Sequence, residues 1–286
     1  MKYYKNLAYY NGKYDEIENM TIPLSDRASF FGDGVYDATI AGNGIIHDLD
    51  AHVDRFFSSM ALVHIEPAFT KDELKELLNK LVKLADPAQE TIQVYFQITR
   101  GSGIRAHVFP EENMPNLWVV LSDFGKLEPY KHINVITYED RRYEYCNIKT
   151  LNLLANVLAS QAAKEAGAQE AIFLRPGGIV TECAHNNVSI LKDGTFITHP
   201  RDRFILPGIG LANLIKKCGE LGIPVKEEAF TLEELLDADE IIVSCSGMFC
   251  AGVDNVDGKS VGGRDSQLLE QLQDSLFEDY KKEIGI

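Results

Sequence analysis

The sequence predicts an α+β protein of two domains joined by a short linker. Three observations predict it. Segments that alternate apolar and polar residues in steps of two are interspersed with segments of helical period. Phe124 to Lys131 (Phe-Gly-Lys-Leu-Glu-Pro-Tyr-Lys) carries neither period and breaks the pattern. The order of strands and helices is not the regular βαβαβ succession of a Rossmann domain. The expected division is a small N-terminal α/β domain over 1–123, a linker over 124–131 and a larger C-terminal α/β domain over 132–286.

The elements follow in order. Tyr9-Tyr10-Asn11-Gly12-Lys13-Tyr14 is an Asn-Gly hairpin, and Thr39 to Ile46 holds a second turn at Asn43-Gly44. Leu49 to Val63 reads as a helix with Val53, Phe56, Phe57, Met60 and Val63 on one face. Thr70 and Glu73 form a capping box ahead of Leu74, Leu77, Leu78 and Leu81, which starts another. Ile92, Val94, Phe96 and Ile98 alternate as in a half-buried strand, and Leu117 to Leu121 is a continuous apolar strand. Beyond the linker, Thr150 to Ala166 reads as a helix stopped by Gly167. Strands are expected over Ala171–Leu174, within Ile179–Leu191, over Phe196–Thr198 and over Ile241–Ser244. Leu211–Leu221 and Gln267–Ile284 read as helices, and Thr231 with Glu234 caps a further one.

Composition narrows the function. The chain has 286 residues, 45% of them hydrophobic and 25% charged, which are ordinary globular values. Lys+Arg is 28 against Asp+Glu 43, a net charge of −15. Such a surface repels phosphate backbones and anionic lipid, so neither nucleic acid nor a membrane is an expected partner. No apolar run approaches the ~20 residues of a membrane helix. Met1-Lys2-Tyr3-Tyr4-Lys5-Asn6 lacks the apolar stretch of a signal peptide. Five scattered cysteines suit a reducing cytoplasm better than a disulfide framework. The expectation is a cytoplasmic protein acting on something small.

Two ionisable residues stand alone in apolar sequence. Lys149 is the only formal charge between Glu144 and Lys164. A desolvated lysine keeps some neutral amine, as a Schiff-base or proton-shuttling lysine requires; the alternative is a lysine at a helix start with its tip in solvent. Glu182 is the only formal charge between Arg175 and Lys192. Buried, it needs a cationic partner, and a protonated ring nitrogen would suit; exposed, it is an ordinary strand or loop glutamate. Ile205-Leu206-Pro207-Gly208-Ile209-Gly210 is an apolar run and a turn leading into a helix, a place for phosphate or simply a turn. Ser244-Cys245-Ser246-Gly247 after a buried strand offers a second anion nest or an ordinary turn. Arg55 pairs on the surface with Asp54 or reaches a phosphate. Arg100 to His107 presents Arg100, Arg105 and His107, suited to a carboxylate clamp or a plain basic loop. No cysteine or histidine spacing fits a zinc site, and there is no Gly-x-Ser-x-Gly elbow, phosphate-binding lysine loop or His-Glu-x-x-His.

These parts in this order resemble the fold type IV pyridoxal-phosphate enzymes over nearly the whole chain. The resemblance is carried by Ser25-Asp26-Arg27, Phe31 to Asp37, His52-Val53-Asp54-Arg55, Asn147 to Leu154, Val180-Thr181-Glu182 and Ile205 to Ile209. Tyr95 to Gly101 followed by Arg105-Ala106-His107-Val108-Phe109-Pro110 looks like the D-amino acid aminotransferases of that group. The resemblance implies two α/β domains with pyridoxal 5′-phosphate at their interface. It implies ping-pong transfer of an amino group between D-amino acids and 2-oxo acids through Lys149 as the catalytic Schiff-base lysine. It sets Glu182 against the pyridine nitrogen and Leu206 on the ring face. Arg55 and the backbone N–H groups of Ile209 and Gly210 would hold the phosphate, with Ser246 and Gly247. Tyr36, Arg105 and His107 would trap the substrate carboxylate, the last two in the neighbouring subunit of a homodimer. An aminodeoxychorismate lyase or an (R)-amine transaminase on the same fold is the alternative. The chain departs from the family pattern at Gly210, where threonine is usual, at Cys245-Ser246-Gly247, and at Cys183 to Asn187, where His185 and Asn186 add bulk and hydrogen-bonding groups.

Overall fold

A computed structural model of the protein describes residues 2–112 and 114–286; Met1 and Asn113 lie outside the described residues. The chain divides into two compact units, and the division departs from two contiguous stretches. Residues up to Leu127 form one unit together with Ile148–Asn152 and Lys282–Ile286, while Glu128–Asn147 and Leu153–Lys281 form the other.

The first unit contains β1 (Leu7–Tyr10), β2 (Lys13–Glu16), α1 (Arg27–Phe31), β3 (Gly34–Gly42), β4 (Ile45–Ile46), α2 (Leu49–Leu62), α3 (Lys71–Val82), β5 (Thr91–Thr99) and β6 (Asn116–Asp123). Its strands form one antiparallel sheet in the order β2-β1-β6-β5-β3-β4. Asn11 and Gly12, like Asn43 and Gly44, have positive φ, the requirement of a two-residue hairpin turn. Val94, Phe96 and Ile98 are fully buried in one cluster with Val53, Phe56 and Met60 of α2 and Leu74, Leu78 and Leu81 of α3. Phe56 meets Phe96 edge-on with ring centroids 4.9 Å apart. Each such side chain contributes about 1.5–3 kcal/mol by leaving water. The capping box at Thr70 and Glu73 is present in full.

The second unit contains β7 (His132–Glu139), α4 (Leu154–Glu165), β8 (Glu170–Arg175), β9 (Ile179–Cys183), β10 (Asn187–Lys192), β11 (Thr195–Thr198), α5 (Ile209–Leu221), β12 (Val225–Glu227), β13 (Phe230–Thr231), α6 (Leu232–Leu236), β14 (Glu240–Ser244), β15 (Ala251–Val256), β16 (Lys259–Ser260) and α7 (Ser266–Ile284) as far as Lys281. The sheet order is β12-β11-β10-β14-β15-β7-β8-β9-β13, with β16 pairing β15. It is mixed: β15–β7, β7–β8 and β11–β12 are parallel. The central strand β14 is buried along its whole length, as a continuous apolar run demands.

One element differs from expectation in a way that matters for the site. The helix expected from Thr150 starts at Leu154 instead. Residues 149–151 run extended along the edge of β3: Tyr36 N donates to Lys149 O at 2.9 Å and Leu151 N to Gly34 O at 3.1 Å. Asn152 Nδ2 donates to Gly32 O at 3.0 Å. The close approach requires glycine at 34, where a Cβ would lie 2.8 Å from Leu151 Cδ1 and 2.5 Å from Ile98 O. Helical periodicity through Leu151 and Leu154 is therefore misleading, because backbone bonding to β3 takes the first of these leucines out of the helix.

Candidate active site

In the first unit the strand β3 and the helix α2 assemble one group. Lys149 is half-buried, and its Nζ stands 4.4 Å from the centroid of the Tyr36 ring. Tyr36 stacks in turn on Tyr95 at 5.5 Å. Lys149 N donates to Ser59 Oγ at 3.3 Å, which ties the lysine's backbone to α2. Among the described residues no carboxylate pairs with the Lys149 amine. The lysine is thus off any helix, and its amine lies over an aromatic face.

Asp54, the sequence neighbour of Arg55, forms an ion pair with Lys71, and the ion pair of Arg55 is with Asp37. The Arg55 Nε and Nη2 grip Asp37 of β3 at 2.9 and 2.7 Å. Asp37 Oδ1 also takes His52 Nδ1 at 2.7 Å and the Ala38 N–H at 2.8 Å. Asp37 and His52 are fully buried. Burial pushes the Asp37 carboxyl up, but the Arg55 charge and the Arg55 and His52 hydrogen bonds outweigh it, holding the group far below the usual carboxylate range. Burial lowers the His52 imidazole, against the pull of Asp37. Sequence reasoning gives neither Asp37 nor His52 a role. The signal is there: an acid at an interior strand position, and a histidine three residues before Arg55 on the same helix face.

In the second unit Glu182 is buried in β9, and its partners are within the protein. Arg142 Nη1 donates to Oε1, while Oε2 accepts from Asn187 Nδ2 at 3.1 Å and from Leu206 N at 2.9 Å. Asn187 Nδ2 also donates to Leu206 O at 3.0 Å, so glutamate, asparagine and the segment before α5 are knitted together. Asp140 holds Arg142 from the other side, with Oδ2 2.9 Å from Nη2. Burial lowers the Arg142 pKa, and Asp140 and Glu182 more than offset this, holding it above its ordinary value. Arg142 carries no signal in the sequence, because Glu139-Asp140-Arg141-Arg142 reads as a solvated run of charge.

The first turn of α5 has no side-chain cap, its preceding residue being Gly208. Its opening N–H groups, including those of Ile209 and Gly210, are the ones an α-helix leaves unused. Gly210 packs on the turn after β14: a Cβ there would lie 2.9–3.1 Å from the backbone of Cys245. The chain bends there, with Cys245 O accepting from Phe249 N at 2.8 Å, and Ser246 and Gly247 are half-buried. Within this unit Leu206 bonds to Glu182, and Gly210, next to Ile209, packs on Cys245, the neighbour of Ser246 and Gly247 in the chain.

Arg105 and His107 lie elsewhere in the first unit, both exposed, around the Phe31 ring. The Arg105 guanidinium is 5.3 Å and the His107 ring 5.2 Å from its centroid. Within the chain neither bonds to Tyr36 or Lys149, so the structure brings together only part of the expected carboxylate trap. His185 and Asn186, expected on the substrate side, turn to a buried acid: His185 Nδ1 is 3.0 Å from Glu170 Oε2, to which Asn186 Nδ2 also donates. Among the described residues one group has metal-ligand spacing, His47, Asp48 and Glu283. It is a hydrogen-bonded link in which Glu283 accepts from the Asp48 N–H at 2.9 Å.

Comparison with known proteins gives the family and the fold. A model of the family described as amino-transferase class IV matches residues 34–256. A D-alanine aminotransferase of Listeria monocytogenes is 38% identical over 278 residues, 94% of each chain. The branched-chain aminotransferase of Thermoproteus uzoniensis, solved with norvaline, superposes with a TM-score of 0.87 at 22% identity, covering 98% of this chain and 95% of that one. The branched-chain amino acid aminotransferase of Escherichia coli superposes at 0.86 and 22% identity over 95% and 93%. At that identity the solved structures speak for the fold, fold type IV. The family match spans more than half of the chain and includes Tyr36, Arg55, Lys149, Glu182 and the α5 turn, so this chain belongs to the class IV aminotransferases.

Proposed function

We propose that the protein is a D-amino acid transaminase using pyridoxal 5′-phosphate, with Lys149 as its catalytic residue. The observation that carries the reading is the Lys149 amine on the Tyr36 ring without an acidic partner among the described residues. A structural lysine would normally be neutralised or fully solvated. The D-alanine aminotransferase of Listeria monocytogenes, 38% identical over nearly the full length, supplies the substrate class.

The residues fit the cofactor. The uncapped α5 turn suits a phosphate, and the Gly210 contact with Cys245 leaves no room for a side chain at that turn. Glu182, with Arg142 as countercharge, is a fixed anionic acceptor suited to a protonated ring nitrogen. Pyridoxal 5′-phosphate, when bound, supplies the carbonyl carbon that takes the amino group and the ring that delocalises carbanion charge. Lys149 Nζ tethers it and carries the substrate's α proton. Arg55, oriented by Asp37, and the N–H groups of Ile209 and Gly210 hold the phosphate, with Ser246 and Gly247. Leu206 covers one face of the ring.

Tyr36, Arg105 and His107 bind the substrate carboxylate, Arg105 and His107 reaching the site of a second copy in a homodimer. The loop that bears them exposes Ile104 (91%) and Val108 (76%), apolar surface suited to burial against that copy. The five cysteines are all free, which fits a reducing cytoplasm. No described helix is long and apolar enough to cross a membrane.

Handedness tests the reading. With the α C–H bond aimed at Lys149, the carboxylate and side chain lie on opposite sides, and the position of the carboxylate trap selects the enantiomer. D-alanine should convert the cofactor in single turnover far faster than L-alanine. Arg105→Ala should weaken D-alanine binding by roughly 2–5 kcal/mol, the cost of truncating one partner of a buried charge pair. Preference for L-alanine would overturn the assignment.

A further inference from the structure

Two guanidinium groups, Arg27 of α1 and Arg100 after β5, are 3% exposed each and share one carboxylate, Asp33. Arg27 Nε donates to Asp33 Oδ2 at 2.7 Å, and Arg100 Nε lies 3.0–3.1 Å from both Asp33 oxygens. The neighbouring acid Asp26, also buried, faces away toward Thr99 Oγ1 and Asn116 Nδ2. Three of the other guanidinium nitrogens donate to backbone carbonyls. Arg100 spends its two Nη groups on His64 O and Val63 O, at 2.9 and 2.7 Å. Arg27 Nη1 donates to Ala106 O at 2.7 Å and to Val108 O at 3.3 Å.

Those two carbonyls flank His107. Holding both of them from one buried guanidinium fixes the 106–107 peptide plane, which leads into His107, and the 108–109 plane, one residue beyond it. The same loop is held at two further points. The Arg100 guanidinium lies 3.6 Å from the centroid of the Phe109 ring. Phe31 is in contact with His107 and Arg105 on one hand and lies 4.9 Å from the Arg27 guanidinium on the other. The loop begins on a fixed base as well, with Arg27 N donating to Gly101 O at 2.9 Å and Gly103 N to Ser25 O at 3.0 Å. An exposed loop is thereby tied to the sheet by a buried ion cluster.

We infer that Arg27, Asp33 and Arg100 are positioning residues for substrate carboxylate binding, acting by pinning the 105–109 segment so that Arg105 and His107 hold a fixed place. This rests on the reading of Arg105 and His107 as the carboxylate trap. The cluster touches neither substrate nor cofactor; it acts through the loop. A displaced clamp costs binding of every carboxylate ligand and leaves the chemistry at Lys149 alone, and misplacement by about 1 Å lowers efficiency on the order of 10- to 100-fold.

The test uses the holoenzyme and two variants. Arg27→Lys keeps the charge and loses the fork that spans Asp33 and the loop carbonyls. Phe31→Leu removes the ring beneath Arg105 and His107 and its contact with the Arg27 guanidinium, leaves the hydrogen bonds of the ion cluster to Asp33 in place, and decides the matter should Arg27→Lys fail to fold. KM for D-alanine, the inhibition constant of propionate as a plain carboxylate, and kcat are measured for each, with Arg105→Ala as reference. The expected result is a rise of both KM and the propionate constant by about 10-fold or more with kcat within about threefold, and no further rise when either change is added to Arg105→Ala. A fall in kcat with both constants unmoved would mean a merely structural role and would overturn the proposal. Arg105→Ala raising both constants while neither variant does would also overturn it. If Arg105→Ala itself leaves them unmoved, it is the carboxylate-trap reading that fails.

Discussion

Glu182→Gln separates the two things that Glu182 is built to do. The donors around the side chain include the Arg142 guanidinium on Oε1, and Asn187 Nδ2 and the Leu206 N–H on Oε2. Glutamine is the same shape but has one acceptor and one donor end. With its oxygen toward Asn187 and Leu206, its amide hydrogens face the Arg142 guanidinium. With its oxygen toward Arg142, they face two N–H groups. The first arrangement is the cheaper, because Asp140 still holds Arg142. It loses one charge-assisted hydrogen bond, about 1.5–3 kcal/mol. Urea unfolding of the cofactor-free protein should show that loss. The catalytic effect is separate: a neutral amide does not keep a ring nitrogen protonated. A loss of similar size in the transition state slows single-turnover reaction with D-alanine by about one to two decades. Lost stability with an unchanged rate would show that Glu182 only holds Asn187 and the segment before α5. Unchanged stability would refute the hydrogen-bond accounting itself.

Lys149→Ala should abolish transamination while far-UV circular dichroism stays native, since the covalent tether and the proton carrier are one amine; mass spectrometry of the borohydride-reduced wild type should place the cofactor adduct on Lys149. Stability should fall with acid in two stages. The folded pKa of His52 lies below its unfolded value of about 6.5, so its contribution is present above that pH and declines below it. The folded pKa of Asp37 lies below its unfolded value of about 3.9, so its contribution is present above that value and drains away as pH falls further. Asp37→Asn, which leaves Arg55 without its buried partner, should cost about 3–5 kcal/mol at pH 7, and the gap to wild type should close below pH ~4 in urea titrations.

Local chemistry was legible wherever one side chain decides the outcome. Asn11-Gly12 and Asn43-Gly44 make hairpins because their φ values must be positive, and Thr70 and Thr231 cap helices with their own oxygens. The Lys149 and Glu182 positions stood out because an ionised group in apolar sequence is costly unless something compensates it. What compensates was not legible. Glu182 answers to Arg142, forty positions earlier within a charged run, and the Lys149 segment is held by backbone bonds to β3 that no pattern of side chains records.

Gly210 shows how far such compensation reaches. Against a family pattern with threonine at the helix opening, glycine looks like the loss of a hydroxyl that would bind phosphate. In the fold, a Cβ at 210 would press to 2.9 Å on the carbonyl carbon of Cys245, so threonine there requires the turn after β14 to move back. The absence of a side chain at 210 therefore answers to the backbone of the turn, not to the side chain at 245. The turn bearing Ser246 and Gly247 packs its Cys245 backbone directly on α5 at Gly210. Threonine at 210 should accordingly destabilise the fold in urea titrations whichever side chain stands at 245, because all three close contacts are with backbone atoms that a substitution at 245 leaves in place.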